Sequence, residues 1–136
     1  MPSTPAKKKS SKTARTAIPL AQLRKICLAL PEAHEVEAWG APTFRVKNKI
    51  FAMYGGDSSS HHSGRPGVWI KSKHTVQEIV LHSAPTKYFK PPYVGPGGWT
   101  GAYLDKKPDW KTISALLLDA YRQTAPKKLL VKLDDE

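Results

Sequence analysis

The chain of 136 residues has a single cysteine, Cys27, so no internal disulfide can form and a thiolate metal site within one chain is excluded. It has no run of about 18 apolar residues and no apolar segment behind its basic N-terminus, so neither a membrane span nor a secretory signal is expected. A soluble cytoplasmic protein with no membrane partner is the expectation. Acidic side chains are scarce: 11 Asp+Glu stand against 22 Lys+Arg, a formal net charge of +11. Such an excess bears on partners rather than on fold, and favours polyanions.

Glycine-rich chemistry is present without its functional spacing. In PPYVGPGGWTGAYLD, Pro91 to Asp105, a dinucleotide fingerprint would need glycine where Thr100 stands, and no lysine follows at the spacing of a phosphate loop. These glycines therefore read as turn chemistry. Ser58, Ser59 and Ser60 beside His61 and His62 offer a nucleophile and a base by type only. Sequence neighbours in a glycine-rich loop do not fix the geometry of proton transfer. Asp57, His61 and His62 as metal ligands would have to chelate from adjacent positions, and His34, His74 and His82 are scattered. No catalytic residue, metal site or cofactor is assigned, and the protein is expected not to be an enzyme.

The charge is unevenly placed. Residues 1–17 form a basic arm in which Lys7, Lys8, Lys9, Lys12 and Arg15 meet no acid and almost nothing apolar, a composition expected to be disordered. Without those five cations, 17 basic side chains face 11 acidic ones, so the body keeps about +6. Residues 131–136 read as an acidic tail, which leaves 18–130 as one domain with its own core.

Within that domain, Leu20, Leu23, Cys27 and Leu30 recur at helical spacing from Pro19 to Pro31, which makes Cys27 a core residue. His34 to Trp39 and Thr43 to Lys47 alternate as strands around a turn at Gly40-Ala41-Pro42, and Lys49 to Tyr54 reads as a central strand. Gly55 to Gly67 is a polar loop leading to the strand Val68 to Lys71. Thr75 and Glu78 make a capping-box pattern for a short helix, Val76 to His82. Trp110, Ile113, Leu117, Ala120, Tyr121 and Thr124 give the last helix a broad apolar face. The order describes an α+β domain, an antiparallel sheet with helices packed on one face.

Leu30-Pro31, Glu35, Trp39-Gly40, Phe44-Arg45-Val46, Lys49-Ile50-Phe51-Ala52, Phe89-Lys90-Pro91-Pro92, Gly98-Trp99, Leu104-Asp105 and Trp110 to Tyr121 together resemble the MmcQ/YjbR-like proteins, over about Ile18 to Leu130. The resemblance implies the CyaY-like, double-wing α+β fold and a DNA-binding role. It gives the glycine-rich stretch a place as a wing hairpin, with Pro91, Pro92 and Pro96 stiffening the approach, Gly97-Gly98 supplying unusual backbone angles and Trp99 opening the return strand. A frataxin-like iron role would want an acidic ridge of oxygen ligands, the opposite of this charge balance.

If Phe44, Val46, Val68, Ile70, Ala102 and Leu104 face the helices, alternation sends Arg45, Lys47, Trp69, Lys71, Trp99 and Tyr103 to the other face. With Lys49, Lys90 and the arm, these make a candidate nucleic-acid surface of cations for phosphates and rings for bases. Glu35, Glu37 and Trp39 are expected on the same face, so Glu to Arg pairs with tryptophans shielding the sheet are the competing structural reading. The functional expectation is a monomer binding nucleic acid, double-stranded DNA foremost, through phosphates. The alternative is a non-enzymatic adaptor whose basic surface meets an acidic protein or an anionic small ligand.

Overall fold

The computed structural model describes residues 19–55 and 65–134. A first helix, α1 (residues 19–28), ends in a tight turn closed by Leu30 N–H on the Cys27 carbonyl, 3.3 Å. Strands β1 (His34–Ala38), β2 (Ala41–Val46), β3 (Lys49–Gly55) and β4 (Gly67–Ile70) follow. Then come α2 (His74–Ser83), β5 (Tyr88–Phe89), β6 (Thr100–Tyr103), α3 (Trp110–Thr124) and α4 (Lys127–Asp134). All neighbouring strands pair antiparallel in one sheet of order β1-β2-β3-β4-β6-β5. The α+β class read from the sequence is the fold of the protein.

Two hairpins set the register. Trp39 and Gly40 have φ of +53° and +74°, and Lys47 and Asn48 have +51° and +67°. Left-handed angles at both turn residues are what a two-residue connection needs to match the right-handed twist of its strands. The first turn is therefore Trp39-Gly40 rather than Gly40-Ala41-Pro42, and Ala41 and Pro42 belong to β2. Between β2 and β3, Phe44 faces Ala52 while Arg45 faces Ile50, which leaves Phe51 as the extra residue of a β-bulge. A bulge lets Phe51 and Ala52 both reach the helices, and both are fully buried.

One core joins the helix-facing side of the sheet to all four helices: Phe44, Val46, Phe51, Ala52, Val68, Ile70 and Ala102 pack with Leu23, Cys27, Val80, Ile113, Leu117, Ala120 and Leu129. The Tyr121 ring meets Phe51 edge-on at 5.8 Å, and its hydroxyl donates to the Pro31 carbonyl at 2.7 Å. The apolar face expected of the last long helix is buried as read, with Leu116 added and Trp110 half-buried. Asp109 starts that helix by accepting the Thr112 N–H, 3.2 Å. Cys27 is fully buried in the core, and burial raises its thiol well above the ordinary range, so it is a packing residue.

Three expectations are corrected. The capping box does not form: Lys73 is the N-cap of α2, no side chain caps it, and Thr75 lies inside the helix. Tertiary bonds fix that helix start instead, as His74 Nε2 lies 2.7 Å from the Pro96 carbonyl oxygen and Gln77 Nε2 donates to the carbonyls of Gly95 and Trp99. Second, Val131 to Asp134 are not a tail but the end of α4, held by Leu133 against the core and by an Arg122 to Asp134 ion pair of 2.9 Å. Third, Gly98 alone of the Gly97-Gly98 pair has a left-handed φ, +104°. The basic arm, Asp57, His61, His62 and the body of the Gly55 to Gly67 loop lie outside the described residues.

Candidate nucleic-acid interface

Strand register decides which cations share a place. The Lys47-Asn48 turn joins β2 to β3 at one end of the sheet, and Lys49 sits across it from Val46. Lys71 N–H bonds the Phe51 carbonyl at 3.0 Å, which carries the chain past β4 toward that same end and on to Lys73. Thr100 pairs with Ile70, so Trp99 and the connection from Lys90 also fall there. Lys47, Lys49, Lys71, Lys73, Lys90, His74 and Trp99 are thus gathered at one end. The Trp39-Gly40 turn is at the other.

The side chains are not equally available. Lys47 Nζ lies 2.9 Å from Glu32 Oε1, and that lysine holds the Glu32 carboxyl below the usual carboxylate range. Both partners are nearly half exposed, so water and salt weaken the pair and phosphate can compete for the ammonium. Arg45 folds along its own strand, with Nε donating to Thr43 Oγ1 at 3.0 Å and Nη1 to Asn48 Oδ1 at 3.4 Å. Lys49, Lys71, Lys73 and Lys90 have no side-chain bond or ion pair among the described residues, and only Lys71 is half-buried. Lys90 runs along Gly95, where an added Cβ would stand 2.7 Å from its Cγ. Its stem is therefore held by a backbone while its ammonium meets water.

The aromatic half of the expected surface is largely overturned. Trp69 is on the outer face, outside the helix-side core cluster, yet only 3% of it is exposed, so it offers no open ring for a base. Trp99 is half-buried, with its carbonyl bound by Gln77. The open rings are Trp39 and Tyr93, 79% and 80% exposed, both at left-handed backbone positions. Glu35 is also displaced from the expected face. It pairs with Phe44 on the helix side, where Arg24 of α1 holds both its oxygens at 2.8 and 2.9 Å. Lys73 is the cation that the sequence reading missed; the recurrence Lys71-x-Lys73 just after β4 was the available signal.

Among the described residues no cluster of three or more histidine, cysteine or acidic side chains could hold a metal ion, and no helix is long and apolar enough to cross a membrane. The sheet, the helices on one side and the two-residue turns define an α+β protein of a recognisable kind. The YjbR family model matches residues 28–123, and the chain belongs to that family. Its fold is similar to the crystal structure of Deinococcus radiodurans protein DR2400, a DUF419-domain protein: the TM-score is 0.63 at 18% identity, over 75% of each chain. No curated protein matches the sequence.

Proposed function

We propose that this protein is a non-enzymatic nucleic-acid-binding module of the cytoplasm, directed mainly at the phosphates of double-stranded DNA and reading little base sequence. The observation that supports this best is the convergence of Lys49, Lys71, Lys73 and Lys90 at one end of the sheet without acidic partners among the described residues. Cations on separate segments, set at or just beyond the ends of paired strands, suit a backbone of regularly spaced charges. Phosphate contacts position a protein without specifying sequence. With Trp69 buried, stacking contributes less than expected and duplex is favoured over single strands.

The test is a binding titration against duplex DNA, single-stranded DNA, RNA and an acidic polypeptide at several salt concentrations. Duplex binding that weakens steeply with salt supports the proposal. Binding to acidic polypeptide alone would transfer the lysine surface to a protein partner.

A further inference from the structure

At the opposite end of the sheet a cleft of about 320 Å³ opens between the start of β5, the end of β6 and the first turns of α3. Arg65, Lys87 and Lys106 supply its cations; Tyr88, Pro108 and Ile113 give it an apolar wall. Two acids stand near, and both are already engaged. Asp105 takes two bonds from Arg65, Nε to Oδ2 at 2.9 Å and Nη2 to Oδ1 at 2.8 Å. Asp109 accepts the Thr112 N–H on one oxygen and the Thr112 hydroxyl on the other, at 3.2 and 2.7 Å.

Arg65 is built in rather than draped over the surface. Its guanidinium carbon lies 3.6 Å from the centroid of the Tyr103 ring, and that ring is backed by Phe89 at 4.5 Å. The fork to Asp105 uses Nε and Nη2, which leaves the Nη1 hydrogens with no acceptor among the described residues. Neither Lys87 nor Lys106 has a side-chain ion pair among the described residues. A fixed guanidinium edge with two exposed lysines offers donors from separate segments. A carboxylate, flat and singly charged, is satisfied by one arginine fork, whereas a tetrahedral dianion uses all three groups. The volume is at the small end of ligand pockets, and the apolar wall leaves room for an organic body beside the anion.

We propose that this cleft binds a small phosphomonoester, with Arg65, Lys87 and Lys106 on the phosphate and Tyr88, Pro108 and Ile113 against the organic part. The site is separate from the lysine row, so each stands or falls alone.

Calorimetric titration of the full chain with ribose 5-phosphate and adenosine 5′-monophosphate, and with adenosine as the uncharged control, tests it. Both phosphomonoesters should bind saturably, and adenosine at least about tenfold more weakly. Binding should also weaken below about pH 6, where the phosphate loses its second charge. Lys87→Ala with Lys106→Ala removes two exposed side chains that lie outside the core, and should lower phosphomonoester affinity about tenfold or more while duplex DNA binding persists. Lys49→Ala with Lys71→Ala should leave phosphomonoester affinity unchanged. No saturable binding of either phosphomonoester up to about 10 mM overturns the proposal. So does affinity indifferent to Lys87 and Lys106.

Discussion

Phe89 lies over Gly101, its partner across the β5–β6 ladder: a Cβ on that glycine would stand 2.3 Å from two carbons of the ring. A bare backbone position in a strand is shielded by the aromatic opposite, which in turn backs Tyr103. Gly101→Ala should therefore cost about 1–3 kcal/mol in denaturant unfolding, because the ring must move. In a Phe89→Ala background the same change should cost much less. Equal costs in the two backgrounds would show that the contact is not what the glycine serves.

Acid should weaken the Arg65 to Asp105 pair. Hydrogen bonds from Arg65 hold the Asp105 carboxyl below its ordinary range, and its side chain is 7% exposed. Because the folded value is the lower one, the stabilisation is complete at neutral pH. It fades as pH falls through the ordinary carboxylate value near about 4 and then through the lower folded value. Asp105→Asn should cost about 1–3 kcal/mol at pH 7 and progressively less toward about pH 2. A difference between variant and parent that stays constant from neutral to acid pH would refute this assignment.

Much of the scaffold was legible in the sequence because long periodic segments carry strong signals. The α3 positions Ile113, Leu117, Ala120, Tyr121 and Thr124 are buried as the spacing implied. Edge strand β1 was less legible, since in His34–Ala38 only Val36 is strongly apolar. A slip of one residue in pairing flips every side chain, and Glu35 was assigned to the wrong face for that reason. The turn at Trp39-Gly40 was hidden because a bulky residue rarely takes a left-handed angle. Alternation placed Trp69 on the outer face correctly, but burial there is a tertiary property that period two does not carry. The cleft was invisible for the same reason: Arg65, Lys87, Tyr103, Lys106 and Ile113 come from separate segments.

Trp99 falls between the two outcomes that the sequence allowed. Gly98, on its left-handed φ, approaches so closely that a Cβ would stand 2.9 Å from the Ser72 carbonyl oxygen, and this brings the Trp99 backbone against α2. The half-buried ring should give Trp99→Ala a loss of about 1–3 kcal/mol, below the 3–5 typical of a fully buried tryptophan. Chemical denaturation measures this directly. A change within about half a kcal/mol would instead mark the ring as a surface group.

The lysine row makes the sharpest claim about function. Replacing Lys49, Lys71, Lys73 and Lys90 with alanine removes side chains that make no polar bonds among the described residues, so circular dichroism should barely change and the unfolding midpoint should fall only by what the Lys71 and Lys90 stems contribute in packing. Each lysine that neutralises a phosphate contributes about 0.9 to the magnitude of the log K against log salt slope, so the quadruple variant should lose up to about 3–4 units on duplex DNA. Arg45→Ala with Lys47→Ala should have a smaller effect, since Thr43 and Asn48 hold the guanidinium and Glu32 competes for the ammonium. Deleting residues 1–16 removes five further cations and should lower the slope by up to about 4–5 units if they too meet phosphate. The two sets act on different segments, so their effects should add. Affinity should fall by a similar factor on unrelated duplex sequences, because phosphate contacts carry no base information. A slope unchanged in the quadruple variant and reduced only by the deletion would assign binding to the arm alone and leave the folded domain without a nucleic-acid surface at this end of its sheet.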